Sequence, residues 1–154
     1  MQRAIQLAAN AERDNEVPVG ALVVSEAGEI IGEGWNSPIS MHDPSAHAEM
    51  VALRNAAQSI QNYRLVNCTL YVTLEPCTMC CGALIHARVK RVVYGAKEPK
   101  AGAVHSRLQL LELSHTNHNV DVTSGVCESE CSAMLSAFFK RRREEKRALR
   151  SEQK

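Results

Sequence analysis

Apolar residues along this chain alternate between helical and extended spacing, and the alternation predicts a mixed α/β order of elements. Ile5, Ala8 and Ala9 recur at helical spacing among Gln, Ala and Leu, predicting a helix over residues 1–13. Val17-Pro18-Val19-Gly20 breaks it. Two β-rich runs follow, 21–24 and 30–35, separated by the turn-forming stretch 25–29, and together they predict a hairpin. Gly32 and Gly34 inside the second run predict a bulge or the close approach of another backbone.

Asp43-Pro44-Ser45 carries a capping residue followed by proline, so a second helix is expected over about 46–58. Residues 69–74 alternate into an apolar strand that ends at Pro76, and the small and apolar residues of 78–89 predict another packed helix. A short strand at 91–94, closed by Gly95, comes next. Leu108, Leu110, Leu111 and Leu113 predict a short helix, and 120–122 a last strand. From about residue 128 a long helix is expected, with Cys131, Met134, Leu135, Phe138 and Phe139 as its apolar stripe. No linker, repeat or low-complexity segment interrupts the order, which predicts one domain over 1–154 with helices on both faces of a sheet.

At 154 residues the chain is long enough to bury a core, and 45% hydrophobic with 23% charged residues is a globular composition. Aromatic residues are only 4%, so Ala, Val, Leu and Ile must fill that core. No apolar run is long enough to span a bilayer, and residues 1–5 lack the features of a secretory signal, so no membrane association and a cytoplasmic location are expected. In a reducing compartment the six cysteines are better read as metal ligands or small buried side chains than as disulfides. The net charge of +1 conceals an asymmetry: residues 140–154 hold eight Lys/Arg against three Glu, or +5, which leaves the body at −4. A basic segment on a mildly acidic body fits either one polyanion contact or a solvated helix.

Two short motifs carry the candidate chemistry. His47-Ala48-Glu49 and Pro76-Cys77-Thr78-Met79-Cys80 each stand at the predicted start of a helix. Imidazole and thiolate are good zinc ligands, and three of them leave the fourth position of a catalytic zinc for water. Cysteines three apart on one helical turn point to nearly the same side, and the helix N-terminus favours their thiolate form. Glu49 suits a place beside the metal rather than on it, taking a proton from activated water and later returning it. On an ideal helix, however, residues two apart face opposing sides, so spacing alone does not bring His47 and Glu49 together. A closed structural site completed by Cys68 or Cys81 is the competing reading of the same ligands.

With these motifs in view, the chain resembles the bacterial tRNA-specific adenosine deaminases over nearly its whole length. The resemblance is carried by Val17–Ala21, Gly32–Asn36, His42–Glu49, Asn62–Leu65 and Leu70–Cys77, followed by Cys80 and Gly82-Ala83, and it includes the zinc-deaminase signature H-x-E…P-C-x-x-C. It implies a cytidine-deaminase-like fold, three layers α/β/α around a central five-stranded mixed sheet, in a homodimer with one zinc per subunit. It implies hydrolytic deamination of adenosine to inosine at the wobble position of a tRNA anticodon stem-loop, by zinc-activated water attacking C6 with Glu49 as proton shuttle. The ligands would be His47, Cys77 and Cys80; Asn36, Ala48 and Glu98 would bind the substrate. Arg141, Arg142 and Arg143 on the last helix would contact RNA. The chain departs from the family pattern in starting inside the first helix, in Glu98 where Asp is usual, and in Ala101 and Val104 nearby.

Two other classes remain open at this point. Zinc, water and carboxylate would serve a free-base deaminase equally well, although such an enzyme has no need of a +5 segment. A non-catalytic RNA-binding module with structural zinc would in turn have no use for Glu49. Cys127 and Cys131, four apart, are read as packing residues, and His86, His105, His115 and His118 have no partner pattern. Trp35 and Tyr63 are structural or pocket-lining.

Overall fold

The structure is a computed structural model that describes residues 1–152. Its elements are α1 (Gln2–Arg13), β1 (Gly20–Val24), β2 (Ile30–Trp35), α2 (Ala48–Ile60), β3 (Thr69–Leu74), α3 (Thr78–His86), β4 (Arg91–Ala96), β5 (Asp121–Thr123) and α4 (Glu128–Glu152). The five strands make one sheet in the order β2-β1-β3-β4-β5. β1 is antiparallel to both β2 and β3, whereas β3, β4 and β5 run parallel. The sheet is therefore mixed, with helices on both faces, as the family resemblance implies.

The period-2 alternation of the strands divides the core. Leu22 and Tyr71 pair across β1 and β3 on the face where α1 lays down Ala4 and Leu7. Their neighbours Ala21, Val23, Leu70 and Val72 face the opposite side, where they meet Ala52 and Ala56 of α2 and Leu84 of α3. Each fully buried Leu or Val contributes roughly 1.5–3 kcal/mol relative to an exposed one. With so few aromatic residues, the small side chains of α2 bring that helix very close to the sheet. A Cβ added at Gly34 would lie 2.6 Å from the Ala52 amide nitrogen and 2.8 Å from the Ala48 carbonyl oxygen. Gly32 and Gly34 thus mark the close-approach alternative read from the sequence, and the irregularity in the β1–β2 register falls instead between Val23 and Val24.

Several predicted boundaries move, each for a local reason. α2 starts at Ala48 rather than Ala46, because Asp43 spends its carboxylate on its own turn. Its Oδ1 accepts from the Ser45 amide at 2.8 Å and the Ser45 hydroxyl at 2.7 Å, while the Ala46 amide returns to the Asp43 carbonyl at 3.1 Å. His47, extended at φ −68° and ψ 153°, is the residue that caps the helix. α3 ends at His86, three residues early, in a Schellman closure: the Arg88 amide bonds the Ile85 carbonyl and the Val89 amide bonds the Leu84 carbonyl. Arg88 takes the left-handed position, φ 59°, that glycine usually fills, so the stop carries no glycine signal. β4 continues through Gly95 to Ala96, since a glycine there leaves room for the Cys131 sulfur of α4. The expected helix among the leucines is one 3₁₀ turn at Leu110–Glu112, and the last strand sits one residue later than expected.

α4 lies beside α1 on one face, joined to it by Gln2 with Glu130 and by Arg141 with Glu12. Of its predicted apolar stripe, Cys131 and Phe138 are buried, whereas Phe139 is 44% exposed. All six cysteines are free thiols. Among the described residues no helix is long and apolar enough to cross a membrane.

Candidate active site

The two motifs meet where the start of α2 faces the start of α3, past the C-terminal end of β3. His47 and Cys77 are the capping residues of the two helices, both extended, and Cys80 lies in the first turn of α3. One ligand atom from each of His47, Cys77 and Cys80 lies within 4.8 Å of the others. The His47 Nδ1 is 3.5 Å from the Cys77 sulfur and 3.7 Å from the Cys80 sulfur. A tetrahedral zinc with ordinary Zn–N and Zn–S bonds separates such atoms by about 3.6 Å, so the donor set fits the metal in both kind and spacing.

The other cysteines stay out of this cluster. Cys81 is buried with its thiol toward the Pro76 carbonyl, and burial pushes its pKa up to about 12. Cys68 turns toward the Val66 carbonyl, and burial raises its pKa as well. Among the described residues, the cluster therefore has three members and an open side.

The protein groups alone already share protons in the manner of a metal site. A hydrogen bond from the Cys80 thiol brings Cys77 down to about 4, and the contact with His47 adds to this. The same contact raises the imidazole, and the Cys80 thiol is held well above its usual range by its bond to Cys77 and by burial. Cys77 is thus a ready thiolate, and a metal cation in the cluster would displace the proton that Cys80 shares with it.

Glu49 stands at the second position of α2 and is only 4% exposed. Burial pushes its pKa up to about 7; its own backbone N–H works in the opposite direction. His47, Glu49 and Cys77 line one pocket of about 190 Å³, together with Asn36 from the end of β2 and Glu98 from the loop after β4. Ala48 is fully buried, with its backbone against Gly34. Its amide is among the N–H groups that a helix start leaves without a helical partner, so any contact it makes with a ligand comes through that N–H.

Sequence reasoning gave Glu75 no role, yet it lines this pocket and is 2% exposed. Its carboxyl is held below the usual range: burial pushes it up, but bonds from the Ser106 hydroxyl and the amides of His105, Glu98 and Ser106 prevail. The available signal was a single acidic residue closing an apolar strand immediately before Pro76.

Arg141, Arg142 and Arg143 of α4 separate. Arg141 lies over the Phe138 ring at 5.4 Å and pairs with Glu12 and Glu145. Arg142 is bound to Glu145 at 2.9 Å. Arg143 lines a groove of about 510 Å³ together with Lys97, Lys100 and Phe139. That groove shares Val17, Leu74 and Glu98 with the site pocket, so the two adjoin.

Residues 1–96, which contain the whole cluster, match the cytidine and deoxycytidylate deaminase zinc-binding region. The tRNA-specific adenosine deaminase of Haemophilus influenzae is 57% identical over 147 residues, covering 96% of this chain and 85% of that protein. The Bacillus subtilis enzyme of the same name is 45% identical, covering 97% and 92%. A solved structure from work on A-to-I editing by tRNA:A34 deaminases superposes with a TM-score of 0.85 at 41% identity, covering 88% of this chain and 97% of that one. This chain carries the zinc-binding deaminase region, and its donor set suits one zinc ion. The chain belongs to the bacterial tRNA-specific adenosine deaminases, a family of zinc-dependent hydrolytic enzymes.

Proposed function

We propose that this protein converts adenosine to inosine at the wobble position of a tRNA anticodon. The observation that carries the chemistry is the buried Glu49 beside the His47–Cys77–Cys80 cluster, in a pocket of about 190 Å³. Such a pocket is below the roughly 300–1,000 Å³ typical of drug-sized ligands and suits a single base, which a stem-loop can extrude from its stack. The names of the relatives support adenosine in tRNA as the substrate.

In this reading His47, Cys77 and Cys80 would hold the metal. Bound zinc supplies Lewis acidity that makes a water acidic near neutral pH. Ionised Glu49, at the pocket wall, would accept a proton from the attacking water as its oxygen adds to C6 of the adenine. It delivers that proton to ring nitrogen N1, then takes the remaining proton from the new C6 hydroxyl and passes it to the departing amine, so that water and adenosine yield inosine and ammonia. The Asn36 amide offers a donor and an acceptor at the pocket wall, and the Ala48 N–H adds a donor. Glu98 shapes the opposite rim.

The adjoining groove receives RNA flanking the target base. Arg143, with Lys97 and Lys100, supplies positive charge there, and the half-exposed Phe139 ring offers a stacking surface. Of the three arginines proposed to contact RNA, Arg143 is the one so placed, whereas Arg141 and Arg142 also serve pairs within the protein. The protein acts in the cytoplasm, as one domain per subunit, in a homodimer; light scattering tests the last point.

The test is a comparison of substrates. Zinc-loaded protein is incubated with an anticodon stem-loop carrying wobble adenosine and, separately, with free adenosine, cytidine and guanine. Inosine in the RNA alone supports the proposal. Turnover of a free base with none on RNA would move the same chemistry to small-molecule metabolism.

A further inference from the structure

The loop between β4 and β5 has little regular structure, yet it is fastened at many points to one segment, Glu75-Pro76. The Glu75 amide bonds the Ala96 carbonyl at 2.8 Å, and the Ala103 amide bonds the Pro76 carbonyl at 2.9 Å. Between these backbone ties, the Glu75 carboxylate gathers the loop on itself. Oε1 accepts from the amides of Val104, His105 and Ser106 at 3.2, 2.8 and 2.9 Å. Oε2 accepts from the Glu98 amide at 3.0 Å and from the Ser106 hydroxyl.

The stretch from Glu98 to Gly102 closes on the same carboxylate. The Gly102 amide returns to the Glu98 carbonyl at 2.9 Å, and a Cβ at Gly102 would lie 2.5 Å from the Glu75 carboxylate. Glu98 and Ala101, which this closure carries, line the same pocket as His47, Glu49 and Cys77. Pro76 leads directly into Cys77, so Glu75 joins the metal-ligand turn to the substrate rim. A buried carboxylate with five donors is far more than a strand end needs, and all five come from the loop.

We infer that Glu75 is a positioning residue which sets the distance between the rim at Glu98–Ala101 and the His47–Cys77–Cys80 cluster, and so sets which nucleotide the pocket accepts. Glu75 does not touch the reacting atoms; it acts through Glu98. The inference rests on the functional reading above for the substrate, but not for the placement of the loop.

The experiment uses two variants of the zinc-loaded protein, Glu75→Gln and the milder Ser106→Ala. An amide at position 75 keeps the size of the side chain. With its oxygen kept toward residues 104–106, it turns an NH₂ group toward the Glu98 amide and sets donor against donor. Hydrogen exchange reads the placement directly: the Glu98 amide exchanges at least tenfold faster in Glu75→Gln and those of Val104–Ser106 faster to a smaller degree, with those of α2 unchanged. KM for the anticodon stem-loop rises about tenfold and kcat stays within about twofold, whereas Ser106→Ala shows the same pattern to a smaller degree.

Unchanged exchange in Glu75→Gln overturns the proposal whatever the activity. Faster exchange with kcat lost and KM constant overturns it too, because Glu75 would then act on the chemistry rather than the rim. If wild type is inert on RNA, the functional reading fails separately, while the exchange result still decides whether Glu75 places the loop.

Discussion

His47 and Glu49 are two residues apart and face the same pocket because only one of them is helical. His47 is extended and enters from outside the helix, whereas Glu49 stands in the first turn. The turn that Asp43 closes on Ser45 delays the helix by two residues and so produces this geometry. Had the helix begun at Ala46, the imidazole and the carboxylate would have pointed apart. The position of a helix start thus brings an imidazole and a buried carboxylate to one pocket.

The pH dependence follows from Glu49. The carboxylate must be ionised to accept a proton from water. Burial raises its folded-state pKa to about 7, and a dication nearby favours ionisation and draws the value down again. The acid limb of kcat should therefore have its midpoint at or below about 7, with activity full above it and lost as pH falls through it. A kcat profile that rises toward acid, or an acid limb with its midpoint well above 7, would contradict this.

Removal of zinc should expose one reactive thiolate. Cys77, half-buried, is held at about 4, while Cys81 lies at about 12, Cys131 at about 11, and Cys80 is raised as well. After chelation, iodoacetamide at pH 6.5 should modify Cys77 ahead of Cys80, Cys81 and Cys131, and zinc should protect it. Mass spectrometry of the labelled peptides reads the order. Earlier labelling of Cys81 or Cys131 would count against the proton sharing described above.

Two glycines should respond in opposite directions to the same substitution. Gly34→Ala drives a methyl into the backbone of α2 and should cost about 1–3 kcal/mol, or roughly 2–4 °C in Tm per kcal/mol. Gly82→Ala, within α3 with nothing within 4 Å of the new methyl, should gain about 0.5–1 kcal/mol of helix propensity. Thermal unfolding of the two variants beside wild type is sufficient.

The basic helix was legible in the sequence as charge but not as geometry. Eight Lys/Arg from residue 140 onward show an electrostatic preference without saying which of them points where. The metal cluster was more legible, because Cys77 and Cys80 at three-residue spacing share a side of any helix that holds them. Glu75 was the reverse case: its five donors come from residues 23 to 31 positions away, and no local pattern announces them. The strands were read from alternation and lie where expected within one or two residues. The helix ends failed where an uncommon residue did the work, as with Arg88 in a glycine position.

The arginines should separate in function. Arg143→Ala should weaken binding of the stem-loop and reduce the slope of log K against log salt by about one, with folding unaffected. Arg141→Ala should instead lower Tm, since it removes the stack on Phe138 and the tie to Glu12. Binding titrations at several salt concentrations, with melting curves, distinguish the two. Equal salt slopes for wild type and Arg143→Ala would remove that residue from the RNA contact.

The central claim is that a zinc held by His47, Cys77 and Cys80 and a proton carried by Glu49 deaminate adenosine in RNA. Its most direct test is inosine formation on a wobble-adenosine stem-loop by wild type and Glu49→Gln, both at verified zinc content. The account predicts full zinc in both proteins and a loss of kcat of about 10²–10⁴-fold in the variant. Wild-type rates in a zinc-replete Glu49→Gln protein would contradict it.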